Sequence, residues 1–386
     1  MSYLQKNIKP LKKAFGFVLF GFLIIIYLIA GFFTQKMLVG NRPFEVKLHE
    51  DFGIYASAIS DAMNYRDYYR QGSGIGPFLY PPPSLFVLEP FYRISPFLFR
   101  VIFFTIFNIF LTCAMVYGIA QHYNLTVKKI WYWYPLALGF APLLEMLYVG
   151  QINIITQFGI YLLFICENAY PVTASAGLTL AIVTKLSPLV FIGYLIINRK
   201  YKIIFITTLL VGILFILAGI RYGIEPALRY PEYVQSFVHW ITLDSNSQTL
   251  ASKLTTDKAS AETIQSLLAI YLLVIFALSG ASAFINKKKE PLFITVNLGM
   301  MLSANIMWYH HYIFFLVPLF VWMGWSQLKP SVVAWCLCGL LLIQIDRFFL
   351  TSGLLIHIFG HLSILILLAG QFAQVYNNYK AKKFPS

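Results

Sequence analysis

Two adjacent carboxylates, Glu50 and Asp51, stand shortly after the first long apolar run of this chain. They head the segment His49-Glu50-Asp51-Phe52-Gly53-Ile54-Tyr55, and a second aromatic stretch, Phe78-Leu79-Tyr80, runs into Pro81-Pro82-Pro83 further on. Chains that only span a bilayer keep such loops short and bland; this one is built to hold an acid at the membrane surface. Lys185 offers the complementary charge. It interrupts an apolar stretch from Ala174 to Ile197, where an unpaired ammonium costs at least about 2.5–3.5 kcal/mol at the bilayer centre. An anionic partner would remove that cost, and so would snorkelling to the interface. Amides stand at Gln151 and Asn153 in Gly150-Gln151-Ile152-Asn153, ahead of Thr184-Lys185-Leu186-Ser187-Pro188. Two histidines stand in Trp308-Tyr309-His310-His311-Tyr312. Neighbouring residues on a helix point about 100° apart, so these imidazoles are not expected to share a metal, and one inward-facing His is expected.

Each cluster also has a purely structural reading. Asp51 at a loop-to-helix junction could cap free N–H groups. The proline run could be a stiff turn re-entering the membrane. The amides could cap backbone carbonyls at a helix end.

The elements that must carry these side chains are membrane helices and the loops between them. The chain is 59% hydrophobic and 11% charged, with a mean hydropathy of +0.71, far more apolar than a soluble domain. Apolar runs long enough to cross a core of about 30 Å recur throughout, and the alternation of a barrel strand is absent. The expected fold is all-α: a polytopic bundle of about 12 helices, with spans at 15–35, 98–120, 131–149, 152–166, 171–184, 186–198, 203–221, 262–285, 291–307, 312–326, 331–350 and 353–375. The two around Lys185 can be read as half-helices. Phe15 to Phe33 is too long for a signal-peptide core and no small-residue cleavage pattern follows, so an uncleaved anchor is expected.

Charge orients the bundle. Sixteen of the 29 Lys and Arg fall in segments assigned to the cytoplasm, beginning with Lys6, Lys9, Lys12 and Lys13, against two acids there, Glu167 and Glu290. That face carries the whole net charge of +14, and the remainder sums to zero. The basic balance is thus positive-inside bias, and no nucleic-acid partner is expected. Both termini are expected in the cytoplasm, with loops 36–97 and 222–261 outside. No polar stretch is large enough for its own core, so residues 1–386 form one integral-membrane domain, with 61–70 as a tyrosine-rich interfacial helix. Cys113, Cys166, Cys336 and Cys338 lie inside or at the ends of spans and indicate neither a disulfide nor a metal site.

The order of the motifs resembles glycosyltransferase family 87, a branch of the GT-C superfamily of integral-membrane, α-mannosyltransferase-like enzymes that use polyprenyl-phosphate sugars. The resemblance rests on Asp51-Phe52-Gly53-Ile54-Tyr55, Tyr80-Pro81-Pro82, Gly150-Gln151-Ile152-Asn153, Lys185-Leu186-Ser187-Pro188, Asn246-Ser247-Gln248 and Trp308-Tyr309-His310-His311-Tyr312, over about residues 15–330. Tyr309 departs from it, since many members carry an acid before the His pair. The resemblance implies transfer of a sugar, mannose above all, from a lipid-linked donor to a hydroxyl on a glycolipid or glycan, at the external face of the inner or plasma membrane. A single displacement would invert the anomeric centre. Asp51 would be the base, and Lys185 with one of His310 and His311 would hold the phosphate. Glu50, Tyr55, Gln151, Asn153, Asn246 and Gln248 would line the sugar and acceptor pocket, with Tyr80 stacking on a sugar face. No metal or organic cofactor is implied; the lipid-linked sugar is a co-substrate. A transporter or lipid-linked sugar flippase is the competing expectation, because buried charge and broken spans suit a substrate path. The chain shows no inverted halves, and its polar motifs crowd one face.

Overall fold

The computed structural model describes residues 21, 24–26, 28–29, 49–69, 78–241, 248–304, 307–346 and 353–383. Among the described residues every regular element is helical. In chain order these are α1 (Glu50–Met63), α2 (Ser84–Tyr92), α3 (Phe97–His122), α4 (Val127–Ile130), α5 (Trp133–Leu138), α6 (Ala141–Val149), α7 (Asn153–Cys166), α8 (Pro171–Thr184) and α9 (Phe191–Ile197). There follow α10 (Tyr201–Tyr222), α11 (Ile224–Ile241), α12 (Leu250–Leu254), α13 (Lys258–Asn286), α14 (Glu290–Leu302), α15 (Leu316–Trp325), α16 (Pro330–Ile345) and α17 (Gly353–Lys383). Two 3-10 segments, Ser187–Val190 and Tyr309–Phe315, precede α9 and α15. By length and composition α3, α10, α13 and α17 can each cross a membrane, whereas α7, α8, α14 and α16 are apolar but shorter. The expected span 15–35 lies largely outside the described residues.

Three expected spans are not single helices; one of them, 186–198, opens as the 3-10 segment Ser187–Val190 ahead of α9. The 131–149 stretch breaks at Gly139-Phe140 because Gln344 of α16 occupies the break. Ala141 N–H donates to Gln344 Oε1 at 2.8 Å, and Gln344 Nε2 donates to Gly139 O at 2.6 Å. In apolar surroundings an interrupted backbone needs such a partner. The 312–326 stretch likewise begins as the 3-10 segment that carries His310 and His311, ahead of α15.

Helices α7 and α8, joined by a short turn, pack as an antiparallel hairpin. Small residues let their backbones touch: a Cβ on Gly159 would lie 2.4 Å from Gly177 O. In lipid, apolar burial drives association weakly, so close approach of small residues supplies the contact. The hydroxyls of Thr156 and Thr184 bond at 2.8 Å towards one end. That end brings the start of α7 beside the end of α8, and so Asn153 beside Lys185.

The loop helix α1 is fixed to this framework. His49 N–H donates to Tyr148 O at 2.8 Å, satisfying a carbonyl at the end of α6. Phe52, Tyr55 and Ile59 are buried beneath it. The His49 ring is wedged against Phe52, Phe97 and Phe104. Burial, and then the Arg100 charge, push it down to about 4, so it packs as a neutral ring. Helix α2, after the three prolines, is tied to α10 through Glu89, which accepts from Arg221 at 2.8 Å and from Tyr222 at 2.5 Å.

Candidate active site

Gly150 makes the first half of the site possible. It ends α6 at φ 78°, a left-handed position, and a Cβ there would lie 3.0 Å from Phe52 Cβ and 3.1 Å from His49 Cγ. Only glycine meets both demands without displacing α1. The turn swings Gln151 under the start of α1.

Asp51 lies in the first turn of α1 and is not its N-cap. That position belongs to His49, at φ 59°, whose side chain makes no capping bond. The Asp51 carboxylate instead accepts a hydrogen bond from Gln151 Nε2. Gln151 Oε1 accepts from Tyr55 OH at 3.0 Å and from Tyr80 OH at 2.7 Å, and the two phenols lie 2.8 Å apart. These partners leave the amide one orientation. Asp51 Oδ1 has no hydrogen-bond partner among the described residues, and Asp51 is only partly buried. Burial pushes its carboxyl up to about 7 against the Gln151 hydrogen bond; the Glu50 charge adds to the rise and the Lys185 charge opposes it. Other nearby acids are engaged elsewhere. Asp61 faces Arg66 at 3.9 Å, and Asp67 accepts from Tyr69 N–H at 2.9 Å and faces Arg229 at 3.9 Å.

Lys185 anchors the second half. Its backbone is extended just past α8, and Nζ donates to Asn153 Oδ1 at 3.2 Å. Nζ also lies 2.8 Å from His311 Nε2 and 5.5 Å from the centre of the Phe314 ring. These contacts hold the ammonium inward, so it does not snorkel. His311 Nδ1 accepts from Trp308 N–H at 3.2 Å, which leaves the proton of a neutral ring on Nε2. Two N–H donors then face each other, an arrangement an anion accepting from both would reconcile. His310 stands edge-on to His311, ring centres 4.7 Å apart. His311 is the member of the pair that lines the neighbouring cavity.

That cavity, of about 340 Å³, is bounded by Tyr80, Lys185, Trp308 and His311 at its polar end, and by Leu186, Val190, Met300, Met301 and Met307 elsewhere. Tyr80 therefore belongs to both halves. Tyr230 of α11 also lines it and stacks on Tyr69 at 5.5 Å, while Tyr69 OH donates to Tyr80 O at 2.8 Å. Sequence reasoning passed over Tyr230, Met300 and Met301. Adjacent unbranched methionines just before the end of α14 were the available signal, since such side chains suit an adaptable apolar wall.

Of the remaining sequence-derived residues, Glu50 adds its charge beside Asp51. Gln248 does not join the cluster. Its N–H donates to Met307 O at 2.6 Å, its carbonyl lies 2.9 Å from His357 Nε2, and its side chain lies against Gly353. It thus supports the segment leading to Trp308 from behind. Asn246 lies outside the described residues.

Among protein families, residues 78–309 match the model for glycosyltransferase family 87. The match takes in Tyr80, Gln151, Asn153 and Lys185, begins after Asp51, and ends just before the His pair. No curated protein matches the chain. With more than half its length matched, the chain belongs to glycosyltransferase family 87.

Proposed function

We propose that this glycosyltransferase moves a sugar, mannose as the expected one, from a polyprenyl-phosphate donor to a hydroxyl of a glycolipid or glycan at the external face of the cell membrane. The observation that supports the reading is the meeting of two halves at Tyr80. One is a partly open acid fixed by an amide and two phenols; the other is an ammonium and an imidazole N–H at the mouth of an apolar cavity.

In this reading Asp51 takes the acceptor proton as the hydroxyl oxygen attacks the anomeric carbon. The bond from that carbon to the phosphate oxygen breaks, and Lys185 and His311 stabilise the charge left on the phosphate. Attack opposite the leaving group inverts the anomeric centre. An acid titrating near 7 is a competent base, half of it deprotonated at neutral pH. Asn153 orients Lys185, and the methionine wall receives the first isoprene units. Both termini are assigned to the cytoplasm and the site to the outer face.

The test is Asp51→Asn, assayed in membranes with a panel of radiolabelled polyprenyl-phosphate sugars. The variant keeps the partnership with Gln151 but cannot take a proton, so it should bind donor normally and turn over about 10²–10⁴-fold more slowly. Wild-type transfer by Asp51→Asn would leave Asp51 a structural residue only, and the panel itself identifies the sugar.

A further inference from the structure

At the far end of the α7–α8 hairpin, about 20 Å from Asn153 along a helix of 14 residues, a second cavity opens. It measures about 610 Å³ and lies between the turn joining α9 to α10 and the turn joining α13 to α14. Five cations line it, Arg199, Lys200, Lys287, Lys288 and Lys289, against two carboxylates, Glu167 and Glu290.

The acids do not consume this charge. Lys289 is committed to Glu167 Oε1 and Phe164 O, at 2.8 and 2.9 Å. Lys200 donates to the neutral Asn168 at 2.7 Å. Arg199 lies 5.7 Å from the Phe284 ring centre. Lys287 and Lys288 are exposed, and their ammonium groups make no hydrogen bond or ion pair among the described residues. A surplus of three positive charges remains in a concave site.

Charge bias across a bilayer requires cations near span ends but not a cavity framed by them. Nor does it require cations at left-handed backbone positions, where glycine is cheapest. Arg199 at φ 56° and Lys287 at φ 54° occupy such positions on opposite sides of this cavity. The adjoining surface is apolar: Ile196, Tyr201, Phe205, Phe284 and Ile285 are all exposed, on or beside the spanning helices α10 and α13.

We propose that this cavity binds the phosphate headgroup of an anionic phospholipid, its acyl chains lying along Phe284 and Ile285. The charge surplus selects an anion, and the flanking apolar surface selects a lipid over a soluble phosphate. Basic pockets between span ends bind lipid headgroups by this combination of fields. The inference does not depend on the chemistry proposed for the other end of the hairpin.

The full chain is purified from mixed phosphatidylglycerol and phosphatidylcholine vesicles, and retained lipid is counted by native mass spectrometry. Two triple variants remove equal charge: R199Q/K287Q/K288Q at the cavity, and K128Q/K129Q/K329Q at exposed cations elsewhere on the assigned cytoplasmic face. Wild type and the second triple should retain phosphatidylglycerol selectively. The cavity triple should lose that preference by on the order of 10²-fold, three surface cations' worth. If the cavity triple does not fold, Lys288→Glu at its exposed position should show the same selective loss. Equal loss in both triples would reduce the effect to diffuse attraction and overturn the site. Displacement of the lipid by millimolar glycerol phosphate would overturn the lipid assignment in favour of a soluble ligand.

Discussion

Replacing Gln151 with leucine separates tuning of the proposed base, Asp51, from contact with substrate. The acid titrates near 7 because burial outweighs the Gln151 hydrogen bond and the Lys185 charge. A base acts deprotonated, so wild-type transfer should rise about tenfold per pH unit below 7 and level off above it. Leucine keeps the bulk of glutamine but removes the donor to Asp51 Oδ2, while Tyr55 and Tyr80 still have each other at 2.8 Å. A hydrogen bond to a charged group is worth about 1.5–3 kcal/mol, and one pH unit is about 1.36 kcal/mol. The acid limb should therefore move up by about one to two units. At pH 6 the wild type would run at about a tenth of its plateau, and Gln151→Leu at about a hundredth to a thousandth of its own. Initial rates under saturating donor, from pH 5 to 9.5 in native membranes, would measure both limbs. An acid limb that stays in place while the plateau falls would show that Gln151 serves the substrate and does not tune Asp51.

The same carboxyl makes a stability prediction of defined sign. Its folded value near 7 lies above the unfolded value of about 3.9, so the fold loses stability as pH rises from 4 to 7, and the penalty persists above 7. Asp51→Asn should raise the thermal midpoint in detergent at pH 8, with the gain shrinking as pH falls through 7; an equal gain at pH 5 would refute the linkage. Gly150→Ala meets both an unfavourable φ and the Phe52 and His49 contacts, so it should cost about 1–3 kcal/mol, read as a lower midpoint with reduced transfer; an unchanged protein would mean that α1 yields freely. Cysteines placed at Ser57 and Thr256 should react with an impermeant thiol reagent from outside intact cells, and labelling only after permeabilisation would reverse the assigned topology.

The chemistry of the site was legible in the sequence where a polar side chain stood against its surroundings. Lys185 among apolar residues was visible on solvation cost, and Asp51 as an acid among aromatic residues beside the first span; the structure links them through Tyr80, which bonds Gln151 beside Asp51 and lines the cavity beside Lys185. What could not be read was partnership over distance. The amide Gln151 resembled a helix cap, and only folding shows it between an acid 100 positions earlier and two phenols. The break in 131–149 depends on Gln344, about 200 residues on, so local hydropathy ran straight through it. Which histidine faces Lys185 was open because adjacent positions are equivalent in sequence, and the 3-10 turn decides for His311. Gln248 was placed by motif order, which carries no information on side-chain direction, and its amide turns toward Gly353.

Helices α7 and α8 are 14 residues each, about 21 Å of helix, in a membrane whose hydrocarbon layer is about 30 Å deep. If the basic turns at Arg199 and Lys287 mark the headgroup level on one side, Lys185 and Asn153 stop about 9 Å short of the hydrocarbon boundary on the other. On the proposed topology this leaves a dent in the outer surface, floored by the Lys185 ammonium and roofed by α1. The donor proposed above, a lipid-linked sugar, would slide into such a dent sideways, at the depth its phosphate already occupies in the leaflet. The acceptor would then come down from the water to meet it, past the helix that carries Asp51.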